Sequence, residues 1–567
     1  MKDYRKIIAS HLAPHLEIAT EEEIMALIEL PKYTDMGDFA FPCFRYAKAL
    51  KTAPNLIAAE LAEKVSGDPL YEKVEAASAY VNFTMDKAQL AEDVLKDVLE
   101  LGDLYGSSTK GDGKTVIVEF SSTNIAKPFH MGHIRSTMIG NSLYRIHKFL
   151  GYNTIGINHL GDYGTQFGKL IVAFKLWGDK DTIEADPIPE LLKIYVKFHD
   201  EAENNPALDD EARSWFKRLE DNDPEAYALW EWFRDISLKE FSRVYGMLDV
   251  HFDSYAGESF YSDKMPAVLD EMRQQGIMKV SEGAEIVDLE PYGMPPALIT
   301  KKDGSTLYLT RDITAALYRK KHYNFDKNVY VVGAPQKLHF QQWMKVVELM
   351  GYDWVKDCIH VEFGTVALEE GSLSTRKGRV VFLEEVLKKA VEKTKEIIAD
   401  KNPNLEHKDE VAAQVGIGAV VFQELSNNRI KDYTFSLDKT LSFDGETGPY
   451  VQYTHARACS VLRKAAPQLL EQPVDFSKLS DAATSEVVKL IRQFPEIVSD
   501  AAEKYEPSLI TRYVVNLAQE FNRFYHDHPI LSEDEVLSTA RLALVDATRQ
   551  TIKNALFLIS LKAPVKM

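Results

Sequence analysis

The sequence predicts a multidomain α/β protein. Its centre is a doubly wound parallel sheet carrying a helical insertion, with a small α/β domain before it and an α-helical bundle after it. Three observations carry this. The chain has 567 residues, too many for one ordinary hydrophobic core. "TVIVEF" (115–120) is a continuous β-prone run of the kind buried on both faces, and a loop, a helical pattern and a second β-prone run follow it. Beyond residue 402 the pattern is almost wholly helical, through "TIKNALFLISLKAPVKM".

The N-terminal stretch "MKDYRKIIASHLAPHLEIATEEEIMAL" reads as an amphipathic helix. "IAAELAEKV" and "AQLAEDVLKDVLELG" have helical spacing, and "AYVNFTM" alternates like a strand. "SSTKGDGK" (107–114) is a Gly/Ser/Lys linker and the clearest boundary, which gives an N-terminal domain over 1–110. In "HIRSTMIGNSLYRIHKFLG", Ile134, Met138, Ile139, Leu143, Ile146 and Leu150 recur at helical spacing, and Gly151 is the helix stop. "NTIGINHLG" is the next strand, so a β-α-β unit of doubly wound type opens the domain 111–402. Its acidic, helix-rich insertion lies near 170–260, and the strand "VYVVG" (329–333) marks where the sheet resumes. Residues 403–567 form the helical domain.

The composition, 45% hydrophobic and 27% charged, is that of a soluble globular chain. No apolar window is long enough to span a bilayer, and the N-terminus lacks a signal-peptide core. Cys43, Cys358 and Cys459 are scattered and odd in number, which fits a reducing, cytoplasmic setting and no disulfide or zinc framework. A formal net charge of −19 speaks against nonspecific coating of nucleic acid, so such a partner would be read at defined patches.

"AKPFHMGHIRST" (126–137) sets His130 and His133 three apart, with Gly132 between, where a strand turns into a helix. An arbitrary HxxH is more often two core or surface histidines. A metal pair lacks the glutamate of HExxH and a nearby third ligand. Phosphate chemistry suits the position. A helix N-terminus after a parallel strand attracts anions through its free N–H groups and dipole. Gly132 leaves room for a nucleotide, and two imidazoles can stabilise charge developing on an attacked phosphate.

"HMGH" in this setting resembles the HIGH signature of class I aminoacyl-tRNA synthetases. "VEFSSTNIAKPFHMGHIRSTMIGNSL", "NHLGDYGTQFGKL", "YLTRDITAA", "LSTRKGRVV", "GPYVQYTHARACSVLRK" and "APVKM" resemble the arginyl-tRNA synthetase family, in family order from residue 118 to the last residue; "GDFAFPCF" (37–44) does so more loosely. The resemblance implies a Rossmann-type catalytic domain that ligates L-arginine to tRNA(Arg) with ATP, through an arginyl-adenylate. Mg2+ would accompany ATP without a dedicated protein site. It further implies a monomer that activates arginine only with tRNA bound.

By the same resemblance, His130, His133, Lys127 and Gly132 are catalytic positions, and Phe129 and Met131 join them around ATP. Glu119, Asn124 and His130 form a first group of arginine contacts, and Tyr308, Asp312 and Gln336 a second. Glu119, Tyr308 and Asp312 are assigned to the guanidinium, which suits carboxylate pairing, and Asn124 and Gln336 to the α-amino group. The second signature departs from KMSKS. In "SLSTRKG" (372–378) serine and Thr375 stand at the lysine places, so those lysines do not carry over. Ser374, Thr375, Arg376 and Lys377 remain the ATP-facing stretch; the missing cation is Arg376, Lys377 or, favoured for its place beside the phosphate site, Lys127.

"NNRIKDYTFSLDK" and "YVQYTHARACSVLRK" interleave aromatics with Arg and Lys, as stacking on single-stranded bases requires. By itself the second stretch reads more simply as a helix with buried tyrosines and a solvated basic edge; the family resemblance implies an anticodon-binding bundle, with Tyr450, Tyr453, Arg457, Lys464 and Met567 as the expected tRNA contacts. A cysteinyl-type relative would need a zinc-bound cysteine pocket, against which the three scattered cysteines speak. An RNA-binding relative without catalysis has only the altered KMSKS stretch in its favour.

Two outcomes are expected. Asp312→Asn raises the KM for arginine sharply, and an unchanged KM removes Asp312 from the pocket. Lys127→Ala slows adenylation by at least about 10²–10³-fold, the cost of one transition-state contact; near-normal pyrophosphate exchange would move the role to the 372–378 stretch.

Overall fold

The computed structural model describes residues 2–31, 36–302, 304–369 and 381–567. They divide into two compact units. The larger comprises Gly106–Tyr453, Pro495–Val515 and Ala555–Met567, the smaller Met1–Tyr105, Thr454–Phe494 and Asn516–Asn554.

The larger unit contains the expected sheet. The apolar run gives the strand Thr115–Glu119, which pairs in parallel with Asn153–Ile157 on one side and Lys327–Gly333 on the other. Cys358–Phe363 extends the sheet beyond Lys327–Gly333, again in parallel. Strand order therefore reverses between Thr115–Glu119 and Lys327–Gly333. Ligands of open α/β sheets bind outside the carboxyl ends of the strands at such a reversal.

Alternation along a strand decides what covers each face. Ile117 packs in one cluster with Ile313 and Ala316 of the helix Tyr308–Tyr323 and with Phe340 and Trp343 of Lys337–Leu349. Phe120, of opposite parity, meets the helix His133–Phe149: a Cβ on Gly140 would lie 2.1 Å from the Phe120 Cβ. Overpacking of this kind costs about 1–3 kcal/mol or more, so glycine sets how closely this helix approaches the sheet. The helix stops where predicted, at Gly151 with φ +86°, where a Cβ would press on the Ser108 carbonyl oxygen. The stretch 107–114, which reads as a linker, is folded back there: the Gly111 amide donates to the Leu150 carbonyl.

The insertion is helical, with Thr165–Trp177, Lys180–Ala185, Pro187–Asn204, Ala207–Glu220 and Pro224–Met247. It is followed by an antiparallel sheet of Met278–Ser281, Ala284–Val287 and Ala297–Thr300 that the sequence reading did not foresee.

The smaller unit has an antiparallel sheet in which Tyr80–Met85 lies between Phe39–Pro42 and Tyr71–Ala77. "GDF" explains its edge. Gly37 takes φ +93° under the Phe83 carbonyl, and Asp38 accepts the Met85 amide at 2.8 Å and pairs with Lys489 at 2.9 Å. The single N-terminal helix expected is broken into Tyr4–Leu12 and Glu21–Leu27. Pro14 interrupts the first, and a capping box between Thr20 and Glu23 starts the second. The C-terminal region is helical as predicted: Gly448–Lys464, Ala482–Glu503, Ser508–Asp527 and Glu535–Leu558.

Candidate active site

The loop between the strand Thr115–Glu119 and the helix His133–Phe149 is strained. Ser121, Ser122 and Ala126 have φ of +68°, +46° and +58°. Left-handed non-glycine residues cost about 1–3 kcal/mol each and persist only where their surroundings over-determine them. Here the Ser121 amide donates to Ser136 Oγ at 2.9 Å, which donates to the Val331 carbonyl at 2.7 Å. Ser121 Oγ lies 2.9 Å from Thr137 Oγ1 and 2.8 Å from the buried Tyr245 hydroxyl. The Ala126 amide donates to Ser237 Oγ at 3.1 Å. Tyr245 and Ser237 belong to the last insertion helix, so the insertion buttresses this loop.

The loop delivers both histidines to the helix start. Their rings lie 3.9 Å apart, and His133 stacks on Phe129. His133 Nδ1 accepts the His130 amide at 3.1 Å, and His130 Nδ1 accepts the Gly132 amide at 3.0 Å. Burial pushes the His133 imidazolium down to about 3, with His130 adding to it, and burial followed by Lys127 lowers His130. Both rings are therefore neutral at physiological pH. With each Nδ1 accepting, each proton sits on Nε2, so the pair presents two uncharged N–H donors. Gly132 matters for a reason the sequence did not reveal: a Cβ there would lie 2.8 Å from the His130 ring. Phe129 and Met131 are buried beneath the turn. The Phe129 carbonyl accepts the Leu383 amide and the Met131 amide donates to Val381, so the chain at 381–383 runs alongside the HMGH segment. Lys127 is half-buried, its ammonium pushed down in pKa by burial, with no hydrogen bond or ion pair among the described residues.

The second predicted group lies at the same end of the sheet. Tyr308, well exposed, and Asp312 share a face at the start of the helix Tyr308–Tyr323. Asp312 Oδ2 pairs with His339 Nε2, and Gln336 is exposed three residues before that histidine, just past the strand Lys327–Gly333. Asn124 is exposed and lies over Gly161, whose Cβ would come 2.0 Å from Asn124 Oδ1. Glu119 is different: it is buried, and its Oε2 accepts from the fully buried Arg319 Nη1.

Sequence reasoning missed Arg319, His339 and a third pair, Glu258 with Arg311 at 3.1 Å. Arg319 had a signal, since it follows Asp312 by seven residues and so shares its helical face. Glu258 had none. Burial, opposed by Arg311 and reinforced by Asp312 and Asp162, raises its carboxyl to about 8.

Ser374, Thr375, Arg376 and Lys377 lie outside the described residues. Among the described residues no group of three or more His, Cys, Asp or Glu could hold a metal ion, and no helix is long and apolar enough to cross a membrane. Tyr450 is half-buried and Tyr453 46% exposed in the larger unit. In the smaller unit Lys464 is exposed, and Arg457 sits 4.3 Å over the Tyr525 ring. Met567 packs with Ile398, Leu405 and Val411, and its carbonyl accepts from Asn402 at 3.1 Å. In "NNRIKDYTFSLDK", Arg429 donates to the Glu362 and Tyr505 carbonyls and the Tyr433 hydroxyl to Glu424, so both are engaged inside the unit.

A parallel sheet with paired neutral imidazoles at its reversal point suits the activation of a carboxylate on ATP, and comparison with known proteins agrees on the class. The family model for the catalytic domain of class I (R) tRNA synthetases matches residues 94–437. The DALR anticodon binding domain matches 451–567, and the arginyl tRNA synthetase N terminal domain 2–85. The arginine–tRNA ligase of Clostridioides difficile (strain 630) is 60% identical over 567 residues and that of Halothermothrix orenii 59%, each covering 100% of both chains. Thermus thermophilus arginyl-tRNA synthetase shares the fold at TM-score 0.84 and 24% identity, over 100% of both chains. The chain belongs to the arginyl-tRNA synthetase family.

Glu258 gives a pH prediction. Its folded pKa is raised from 4.5 to about 8, so the stability tied to its neutral form is fully present below 4.5 and is lost as pH rises through about 8. The melting temperature of Glu258→Gln should therefore gain on that of the parent across this window. A constant difference would show that Glu258 does not titrate there.

Proposed function

We propose that this chain charges tRNA(Arg) with L-arginine, using ATP, through an arginyl-adenylate held at the switch point of its parallel sheet. One observation carries the chemistry: the two Nε2–H donors of His130 and His133, fixed at a helix N-terminus by their own backbone. An arginine carboxylate oxygen attacks the α-phosphorus of ATP, and the bond to pyrophosphate breaks. Donors already oriented stabilise the charge gathering on the phosphate oxygens without reorganising. Lys127 adds the positive charge that "SLSTRKG" lacks at the usual lysine places, with Arg376 and Lys377 as the alternative source. Magnesium enters with ATP as part of the substrate. The terminal adenosine of tRNA then attacks the acyl carbon through its 2′-hydroxyl, and AMP leaves.

Asp312 and Tyr308 take the substrate guanidinium, since Asp312 is partly open and its partner is an imidazole. Glu119, expected from sequence at the guanidinium, already holds the guanidinium of Arg319, so it is moved to the opposite end of the amino acid with Asn124 and Gln336. Tyr450, Tyr453, Arg457, Lys464 and Met567 contact tRNA, with catalysis in 111–402, anticodon recognition in 403–567 and the outer corner of tRNA at 1–110. The chain acts as a monomer in the cytoplasm and activates arginine only with tRNA bound.

The test is charging of unfractionated tRNA with each labelled amino acid, with arginine-dependent pyrophosphate exchange run with and without tRNA. Arginine alone should be charged, and exchange should appear only with tRNA. Charging of another amino acid would overturn the pocket, and exchange without tRNA would remove the tRNA requirement.

A further inference from the structure

Arg135 stands two residues after His133, in the first turn of the helix that carries it, yet points away from the site into the protein. Its side chain is 1% exposed and that of its partner Glu424 0%. Arg135 Nε donates to Glu424 Oε1 at 2.8 Å. Nη1 donates to the Lys431 carbonyl at 2.8 Å and the Thr365 carbonyl at 3.4 Å, and Nη2 to the Arg429 carbonyl at 3.2 Å. The guanidinium lies 5.2 Å from the Tyr433 ring centroid, and the Tyr433 hydroxyl donates to the other Glu424 oxygen at 2.6 Å. Four acceptors from three separate stretches thus meet on one planar fork.

Stability alone is a poor reason for this. Buried ion pairs replaced by apolar groups of similar volume are often neutral or more stable, because desolvation offsets the attraction. A planar fork does something a greasy contact cannot: it fixes direction. The acceptors it gathers are themselves braced. Asp432 Oδ1 accepts the Thr365 amide at 2.6 Å, the Gly364 amide donates to Arg429, and the strand Val366–Leu368 pairs with Tyr433–Phe435. On its other side the HMGH segment is held by 381–383, through the Met131–Val381 and Phe129–Leu383 backbone bonds.

We propose that Arg135 is a positioning residue for adenylation, its buried fork fixing the first turn of the helix His133–Phe149 against residues 365, 424, 429 and 431 and so setting where the His130 and His133 Nε2 donors point. The inference rests on the phosphate-site reading of those two histidines. Arg135 touches no substrate. It acts through the turn, so its loss lowers kcat and spares substrate binding.

The experiment uses the full chain with tRNA present and measures arginine-dependent pyrophosphate exchange, tRNA binding and thermal unfolding for Arg135→Lys, Glu424→Gln and the apolar set Arg135→Met/Glu424→Met/Tyr433→Phe. Lysine keeps the charge but cannot span the acceptors. Arg135→Lys should lose about 10²-fold in kcat, the cost of a small misplacement at a reacting centre, with the KM for arginine and tRNA affinity within about twofold. The apolar set should lose as much even where its melting temperature equals the parent's. Glu424→Gln, which leaves the three carbonyl contacts intact, should fall between and keeps the test open if Arg135→Lys does not fold. A kcat within about threefold of the parent in a folded Arg135→Lys, in Glu424→Gln or in the apolar set would overturn the proposal and make the cluster packing only. His130→Ala is run alongside: if it keeps full exchange, the phosphate-site reading has failed, and the Arg135 variants are then judged on their own kcat.

Discussion

One hydroxyl holds the site together. Ser136 Oγ accepts from the Ser121 amide and donates to the Val331 carbonyl, joining the end of one strand, the first turn of a helix and the neighbouring strand across the point where strand order reverses. Sheets splay at such a point, because helices leave on opposite faces and open a crevice. The bond limits that opening and makes the left-handed turn at Ser121 and Ser122 tolerable. Everything downstream inherits its position from it: the histidines, the helix N-terminus behind them, and the insertion helix whose Tyr245 closes the same network.

The histidines show how burial can serve charge stabilisation. A protonated imidazole is the stronger phosphate partner, yet its charge is costly here, first because it is buried and then because a second imidazole and the Lys127 ammonium lie beside it. Keeping the rings neutral avoids that repulsion. It also leaves their hydrogen-bond direction to the backbone amides, which cannot titrate. In the proposed reading positive charge is then supplied by Lys127, which has no competing partner among the described residues.

Much of this was legible in sequence, for physical reasons that differ by element. "TVIVEF" and "VYVVG" are buried on both faces, so composition alone marks them. HMGH is legible because a local turn needs its own residues. The sheet at 278–300 was not, since strands of four residues, largely exposed in Met278–Ser281, carry no usable period. The Glu119–Arg319, Glu258–Arg311 and Arg135–Glu424 pairs join residues from 53 to 289 positions apart, and no local pattern records that. The N-terminal helix was misread because a capping box restarts a helix inside what reads as one amphipathic run.

Those three pairs meet a demand peculiar to a protein that must recognise arginine. Its own guanidinium groups are potential occupants of any carboxylate built for the substrate. Each buried arginine near the sheet end is committed to one glutamate: Arg135 to Glu424, Arg311 to Glu258, Arg319 to Glu119. Groups committed in this way are not open to a substrate guanidinium, since displacing a buried arginine strands its charge. Asp312 is the exception in this region. It is partly exposed, and its partner is the imidazole of His339 rather than a guanidinium. Selectivity for a guanidinium substrate, in the proposed reading, thus depends as much on giving each of these internal guanidinium groups its own glutamate as on shaping the pocket. Loosening the Arg311–Glu258 or the Arg319–Glu119 pair would offer Asp312 an internal competitor.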